Sequence, residues 1–339
     1  MGETSSRGRH RLVLVLSNLV AVAALVWTLR DAHLSELKDD LATMNWGWVA
    51  VAVVADVAVY FWHGLRWSVL LKPVVRVRYM DTVRAIYVGL FANEILPLRA
   101  GELLRCYLMG RLARLPISVS LASAVIERVF DGIWLCVCMV ATLKLVPIPH
   151  QLRFLVDGAY VLALFVLAGA VVLGVAMFQR MRNRAAAIPE EGWRRQVAVL
   201  MDDLGLIGHS RFLAVAFFQS LPYLLLQVIP IWATFRGYGF DLSIGAAFAL
   251  MVLLRLGSAV PQAPGNLGLF QFLTKECLER IFNVVPDEAA RFSLVLWGVV
   301  TLPLLIGGFI AADFTGAHIG DLRQAAQQEV ADSRRVTEA

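Results

Sequence analysis

Two apolar stretches of this chain are interrupted halfway by the same device, and that device limits the folds open to it. The first interruption reads Asn93-Glu94-Ile95-Leu96-Pro97-Leu98-Arg99-Ala100-Gly101-Glu102-Leu103-Leu104-Arg105. The second reads Val260-Pro261-Gln262-Ala263-Pro264-Gly265-Asn266-Leu267-Gly268. Pro97 and Gly101 are spaced as Pro261 and Gly265 are. Proline removes a backbone donor and glycine opens dihedral space. In hydrocarbon, such a break survives only where protein or water satisfies the freed backbone groups. The apolar pieces on either side are each too short to cross a bilayer singly. Paired breaks in corresponding positions of two halves point to a transporter-type binding site.

The remaining composition fits a membrane chain. Of the 339 residues 59% are hydrophobic and only 17% charged, against ~25% charged in soluble domains. The net charge of +5 follows from arginines in loops of the cytoplasmic side. It also allows attraction to anionic lipid surfaces. Nucleic-acid binding has no support, since no motif or soluble basic domain is present. Cys106, Cys136, Cys138 and Cys277 lie in apolar sequence and read as small buried hydrophobes, with no disulfide and no metal site implied. No cofactor motif occurs.

Full-length apolar segments fall at 12–29, 46–71, 117–146, 152–178, 212–235 and 292–312. Each approaches or exceeds the ~20 residues a span requires. The segment at 12–29 follows Arg7, Arg9 and Arg11 and resembles a signal peptide, but its length suits a span. The broken segments occupy 82–110 and 242–282. Orientation follows from basic residues in short loops. The tail at 1–11 is basic and should be cytoplasmic. The loop at 30–45 has two basic and four acidic residues and suits the outside. Lys72, Arg76, Arg78 and Arg84 mark the cytoplasm again, as do six arginines within 180–211. Both ends of 82–110 then prefer the cytoplasm, whereas 242–282 should enter from outside. The expected fold is an all-α polytopic membrane protein. It has about six full transmembrane helices and two re-entrant broken-helix hairpins, arranged as an inverted repeat. The first repeat covers 12–146, and the second covers 152–178 and 212–312. Between them a cytoplasmic connector at 179–211 carries Trp193, Val197, Leu200 or Met201, and Leu204 at helical spacing. That stripe reads as a surface amphipathic helix or as a plain connector. The polar tail at 313–339 should also be cytoplasmic.

Ionisable residues inside spans are costly and face the protein interior. Asp56, Tyr60, His63 and Trp67 share one face of the second helix, with Arg66 adjacent. Glu127, Arg128 and Asp131 lie together in the third, and Arg128 and Asp131 are close enough to pair. These residues either cross-pair to fix packing or take part in function; His63 and Arg66 could also snorkel to the interface. Arg99, Glu102 and Arg105 share a face after the first break, and Arg255 precedes the second. Arginine beside an inward-pointing half-helix N-terminus makes a phosphate site. Gly101, Gly265 and Gly268 would let the backbone approach a head group. Pro222, Pro230 and Pro303 should kink helices, and Gln219 and Gln227 read as packing glue.

The segment Leu96-Pro97-x-Arg99-x-Gly101-Glu102-x-x-Arg105 resembles the signature of the transmembrane, flippase-like region of lysylphosphatidylglycerol synthases and their stand-alone relatives. Glu127-Arg128-x-x-Asp131 and Pro261-x-x-Pro264-Gly265-Asn266-Leu267-Gly268 are similar to that family's second and third motifs. The resemblance runs over roughly residues 12 to 312. It implies movement of lipids, often with anionic or modified head groups, across a bacterial cytoplasmic membrane. Two departures stand out. The family typically has glycine where Asn266 stands and an Arg-Glu pair where Phe270 and Gln271 stand. The soluble aminoacyl-transferring domain of the synthases is absent, so that activity is not implied.

The expected function is lipid translocation between leaflets, with no catalytic residues. The candidate head-group site comprises Arg99, Gly101, Glu102, Arg105, Arg255, Gly265, Asn266 and Gly268. Asp56, His63, Arg66, Glu127, Arg128 and Asp131 form an intramembrane charge network, and Pro97, Pro261 and Pro264 make the breaks. Expected partners are membrane lipids and, in a rival reading, lipid-synthesis enzymes that a non-transporting subunit would organise. An intramembrane lipid-modifying enzyme is the other rival. No His-Glu-x-x-His or Gly-x-Ser-x-Gly pattern supports it.

Overall fold

A computed structural model describes residues 19, 21–30, 32–95, 101–146, 153–182, 204–205, 207, 211–258 and 264–315. Among these residues the chain is all-helical. After a helical stretch at 21–29, eleven α-helices follow. They are α1 (Leu37–Thr43), α2 (Trp46–Leu71), α3 (Tyr79–Ile95), α4 (Gly101–Ala113), α5 (Ile117–Leu145) and α6 (Arg153–Arg182). Then come α7 (Arg211–Leu226), α8 (Val228–Tyr238), α9 (Ile244–Gly257), a short 3-10 turn at Pro264–Asn266, α10 (Leu269–Phe282) and α11 (Pro286–Phe314).

Local chemistry sets the helix ends. Asn45 opens α2 by accepting a hydrogen bond from the Gly47 N–H at 3.0 Å, which satisfies one orphan donor of the first turn. Its own N–H donates to the Gly237 carbonyl at 2.8 Å and ties α2 to the end of α8. Ser243 opens α9 in the same way. Asn283 closes α10 in the left-handed conformation that its short polar side chain tolerates.

Three helices are long and apolar enough to cross a membrane among the described residues: Trp46–Leu71, Arg211–Tyr238 and Pro286–Phe314. The stretch expected as one helix at 212–235 is interrupted by a turn at Gln227, where α7 passes into α8. The α5 helix is also long, 29 residues, but carries Glu127, Arg128, Asp131 and Lys144. Its charges are handled inside the protein, as described below. Val54, Phe165, Phe218, Ile306 and Phe309 are large apolar side chains on the exposed surface. Large apolar side chains so exposed suit hydrocarbon and not water.

Both broken segments are pairs of half-length helices. In the first, α3 and α4 fold back on each other. Asn93 Oδ1 accepts from the Gly101 N–H at 2.8 Å. A Cβ on Gly101 would stand 1.8 Å from the Gly89 carbonyl oxygen, so only glycine permits this approach. In the second, α9 and α10 pack so closely that a Cβ on Gly257 would lie 2.2 Å from the Leu273 side chain. The α11 helix packs on α3 and α10, one from each pair.

Pro97, Arg99 and Pro261 lie outside the described residues. So do the tail at 1–11, residues 183–203 of the connector with Trp193, Val197, Leu200 and Met201, and residues 316–339. Leu204, from the connector's apolar stripe, is buried against Leu70, Ile126 and Ala216 in the protein core.

Candidate functional site

Among the described residues, two of the polar assemblies between helices flank Tyr223 of α7. The first is an ion network. Arg66 of α2 is fully buried, and its guanidinium donates to Glu127 Oε1 from Nε at 3.2 Å and from Nη2 at 3.0 Å. It also donates to Asp131 and, at 3.0 Å, to the Ser220 hydroxyl. Arg105 of α4 reaches Glu127 from the other side, with Nη1 3.0 Å from Oε2. Its Nη2 lies 3.0 Å from Glu102 Oε2. His63 Nε2 stands 3.3 Å from Glu127 Oε1. At the rim, Arg128 Nη2 donates to Glu102 Oε1 at 3.5 Å.

Three guanidinium groups therefore face three carboxylates, with His63 beside them. The network balances itself. Isolated charges at this depth would cost several kcal/mol each. Trp67 lies 4.9 Å from the Arg105 guanidinium, and Tyr223 lies 4.6 Å from that of Arg66. These ring faces add cation–π attraction on the sides the carboxylates leave open. The network joins α2, α4, α5 and α7 into one unit.

The second assembly is a cavity of about 210 Å³. It is lined by Asp56 and Tyr60 of α2, Glu94 of α3, Tyr223, Gln227, Arg255 of α9 and Asn266, with an apolar floor that includes Phe270 and Leu304. Arg255 donates to Gln227 Oε1 and, from Nη2 at 3.1 Å, to the Tyr223 hydroxyl. Both partners are uncharged, so the Arg255 charge is directed at the cavity without a carboxylate bonded to it among these contacts. Asp56 is 6% exposed and its Oδ2 has no hydrogen-bond partner. Asn266 Nδ2 donates to Glu94 Oε1 at 2.7 Å. That bond links the second break to the residue just before the first, so the two breaks border one cavity.

The glycines of the second break serve its backbone. Gly265 has φ +75° and Asn266 φ +52°. Asparagine is the residue that best stands in for glycine in this left-handed region, which accounts for the departure at 266. The Gly265 carbonyl accepts from Trp297 Nε1 at 2.8 Å. Gly268, at φ +90°, would carry a Cβ 2.1 Å from the Ala21 carbonyl oxygen. Its N–H donates to Gln271 Oε1 at 2.7 Å. The neutral amide of Gln271 thus does the capping that a carboxylate could do at that position. Phe270, the other departure, puts an aromatic ring on the cavity wall.

The structure divides the expected site residues. It brings Arg255, Asn266 and Asp56 together in the cavity, and it places Glu102 and Arg105 in the ion network with His63, Arg66, Glu127, Arg128 and Asp131. Gly101 serves the packing of α3 on α4. Gly265 and Gly268 shape the second break, and Pro264 begins its 3-10 turn. Glu94, Tyr60, Tyr223 and Gln227 line the cavity without having been singled out for it. Glu94 stood in plain view beside the first break. Gln227 and Tyr223 are four residues apart, one helical turn, and that spacing was the available signal.

A chain that is all-helical over its described residues, with long apolar helices, large apolar side chains exposed and an ion network buried among the helices, is a multi-pass membrane protein. It belongs to the family of the lysylphosphatidylglycerol synthase TM region, whose model matches residues 14–308. Two relatives from Methanothermobacter thermautotrophicus are each named UPF0104 membrane protein. One is 24% identical over 94% of this chain and 96% of its own length. The other is 22% identical over 76% of this chain and 81% of its own. A Haloferax volcanii protein named Glycosyltransferase AglD is 23% identical over 88% of this chain and 54% of its own length. No solved structure matches the chain.

Proposed function

We propose that this protein moves a lipid with an anionic head group between the leaflets of the cytoplasmic membrane. The observation that carries the reading is Arg255, set in a cavity bordered by both helix breaks and hydrogen-bonded there to neutral groups. A guanidinium so placed suits a phosphate oxygen. A cavity of about 210 Å³ suits a head group and leaves the acyl chains in the bilayer.

In this reading α3–α4 and α9–α10 are re-entrant hairpins entering from opposite sides. With about six full spans they make an inverted repeat, and both termini face the cytoplasm. Rocking of the halves would open the cavity to one leaflet and then the other. Arg99 and Arg255 would hold the phosphate, and the self-balanced ion network would hold α2, α4, α5 and α7 together. The reading assigns no catalytic residue, metal or cofactor, and its partners are membrane lipids.

A second reading, an intramembrane lipid-modifying enzyme, has support in the relative named a glycosyltransferase. Reconstitution in liposomes with fluorescent anionic and zwitterionic lipids separates the two. We expect leaflet exchange of the anionic lipid that is lost in folded Arg255→Ala and Arg99→Ala proteins. Exchange unaffected by both substitutions would remove this site, and a new lipid product would favour the enzyme.

A further inference from the structure

The charge content of the cavity limits how an anion can enter it. Among the described residues its lining holds one guanidinium, Arg255, and two carboxyls, Asp56 and Glu94. With Arg99, which the lipid-binding reading adds, two guanidinium groups offset two ionised carboxyls. A phosphodiester would then add an uncompensated negative charge in a site of low dielectric, where such a charge is costly. A proton that arrives with the phosphate leaves the net charge where it was.

The two carboxyls differ in burial and in place. Glu94 is partly exposed, and its Oε1 accepts from Asn266 in the contact between the breaks. Asp56 is buried on α2 and is hydrogen-bonded to Tyr60 of the same helix, and its Oδ2 has no hydrogen-bond partner. An unpartnered carboxylate oxygen in such a place is costly, and a proton removes the cost. Tyr60 on the same helix, Tyr87 and Glu94 of α3, Tyr223 of α7 and Arg255 of α9 are the titratable or charged groups around Asp56. The lining residues of α8, α10 and α11, such as Ile231, Phe270 and Thr301, carry no charge. Beyond Tyr223 lies the ion network, which is balanced and has no proton to lend.

We infer that a head-group phosphate enters this cavity together with a proton, and that Asp56 holds the proton. The inference rests on the lipid-binding reading given above. The proton comes from water on the loading side, forms an O–H bond at Asp56, and leaves with the lipid on the other side. Asp56 is then the residue through which a proton gradient would drive the lipid.

The test is equilibrium binding of fluorescent phosphatidylglycerol to the purified full chain in detergent, from acid to alkaline pH. A phosphodiester keeps a constant charge over that range, so any pH dependence belongs to the protein. We expect binding by the wild type to weaken as pH rises, by up to about tenfold per pH unit for one linked proton. Asp56→Asn should bind with a flat pH profile, and Glu94→Gln should keep the slope. In weakly buffered solution, adding lipid to the wild type should take up protons and turn the medium alkaline; this arm needs no variant to fold. An unchanged slope in folded Asp56→Asn, or a flat wild-type profile, overturns the inference and leaves the lipid-binding reading standing. Binding that ignores Arg255→Ala at every pH overturns the lipid-binding reading instead. Inorganic phosphate added as competitor should leave the lipid bound; its displacement would reassign the site to free phosphate and overturn the head-group claim.

Discussion

Asn266 donates a hydrogen bond to Glu94 across 172 residues of sequence, joining the two helix breaks at 2.7 Å. Neither residue belongs to the interior of a regular helix, since Glu94 lies one residue before the end of α3 and Asn266 ends the 3-10 turn. A transport cycle that separates the halves must break this bond. We expect a short bifunctional reagent to cross-link Glu94→Cys to Asn266→Cys after Cys106, Cys136, Cys138 and Cys277 have been replaced. The cross-link should stop lipid exchange, and reversal should restore it. Undiminished exchange by the cross-linked protein would show that the breaks stay together.

Glu127 holds Arg66 and Arg105 at once, so its loss leaves the buried network one negative charge short, with only Asp131 and Glu102 left to face the two cations. We expect Glu127→Gln to lower stability by about 3–5 kcal/mol, the range for breaking a buried pair. Thermal unfolding in detergent reads this directly. A melting temperature equal to the wild type would mean that water reaches the network and shares its charges.

The glycines at 101 and 265 should respond differently to alanine. Gly265→Ala meets only ordinary van der Waals contact with Leu267, but on a strained backbone, costing about 1–2 kcal/mol. Gly101→Ala drives a methyl group into the Gly89 carbonyl. We expect more than ~4 kcal/mol, or failure to fold, because neither backbone can yield without parting α3 from α4. Comparable melting of the two variants would contradict the close approach.

Tyr223 gives its hydroxyl to Arg255 and its ring to Arg66. Tyr223→Phe keeps the ring and removes the acceptor. A hydrogen bond to a charged group contributes about 1.5 kcal/mol or more, so we expect roughly tenfold altered affinity for an anionic lipid together with a lower melting temperature. A change in melting without a change in affinity would place the tyrosine in the fold alone.

Much of this was legible in the chain. Pro97 with Gly101 and Pro264 with Gly265 marked the ends of half-length helices, because proline and glycine act locally. Glu127, Arg128 and Asp131 announced a buried ionic cluster through their cost. Their chief partner did not show itself, since Arg66 lies 61 residues from Glu127 in sequence and only the packing of α2 on α5 and α7 brings them together. Arg105 looked like a ligand-binding residue because it shares a face with Arg99 and Glu102. The fold turns it toward Glu127, a choice that depends on which helix lies opposite. Asp56 and His63 share one helix face, yet one reaches the cavity and the other the network. Helical spacing gives the face, and the neighbours decide what each residue on it meets.

The contact at Gly268 has a consequence for the helical stretch at 21–29. With the Ala21 carbonyl lodged where a side chain would be, that helix rests directly on the backbone of the second break. Nothing compressible lies between them, so the pair behaves as a splint and the limb it braces. The second break cannot change its bend unless helix 21–29 travels with it, and a pull on one is felt by the other without delay or slack.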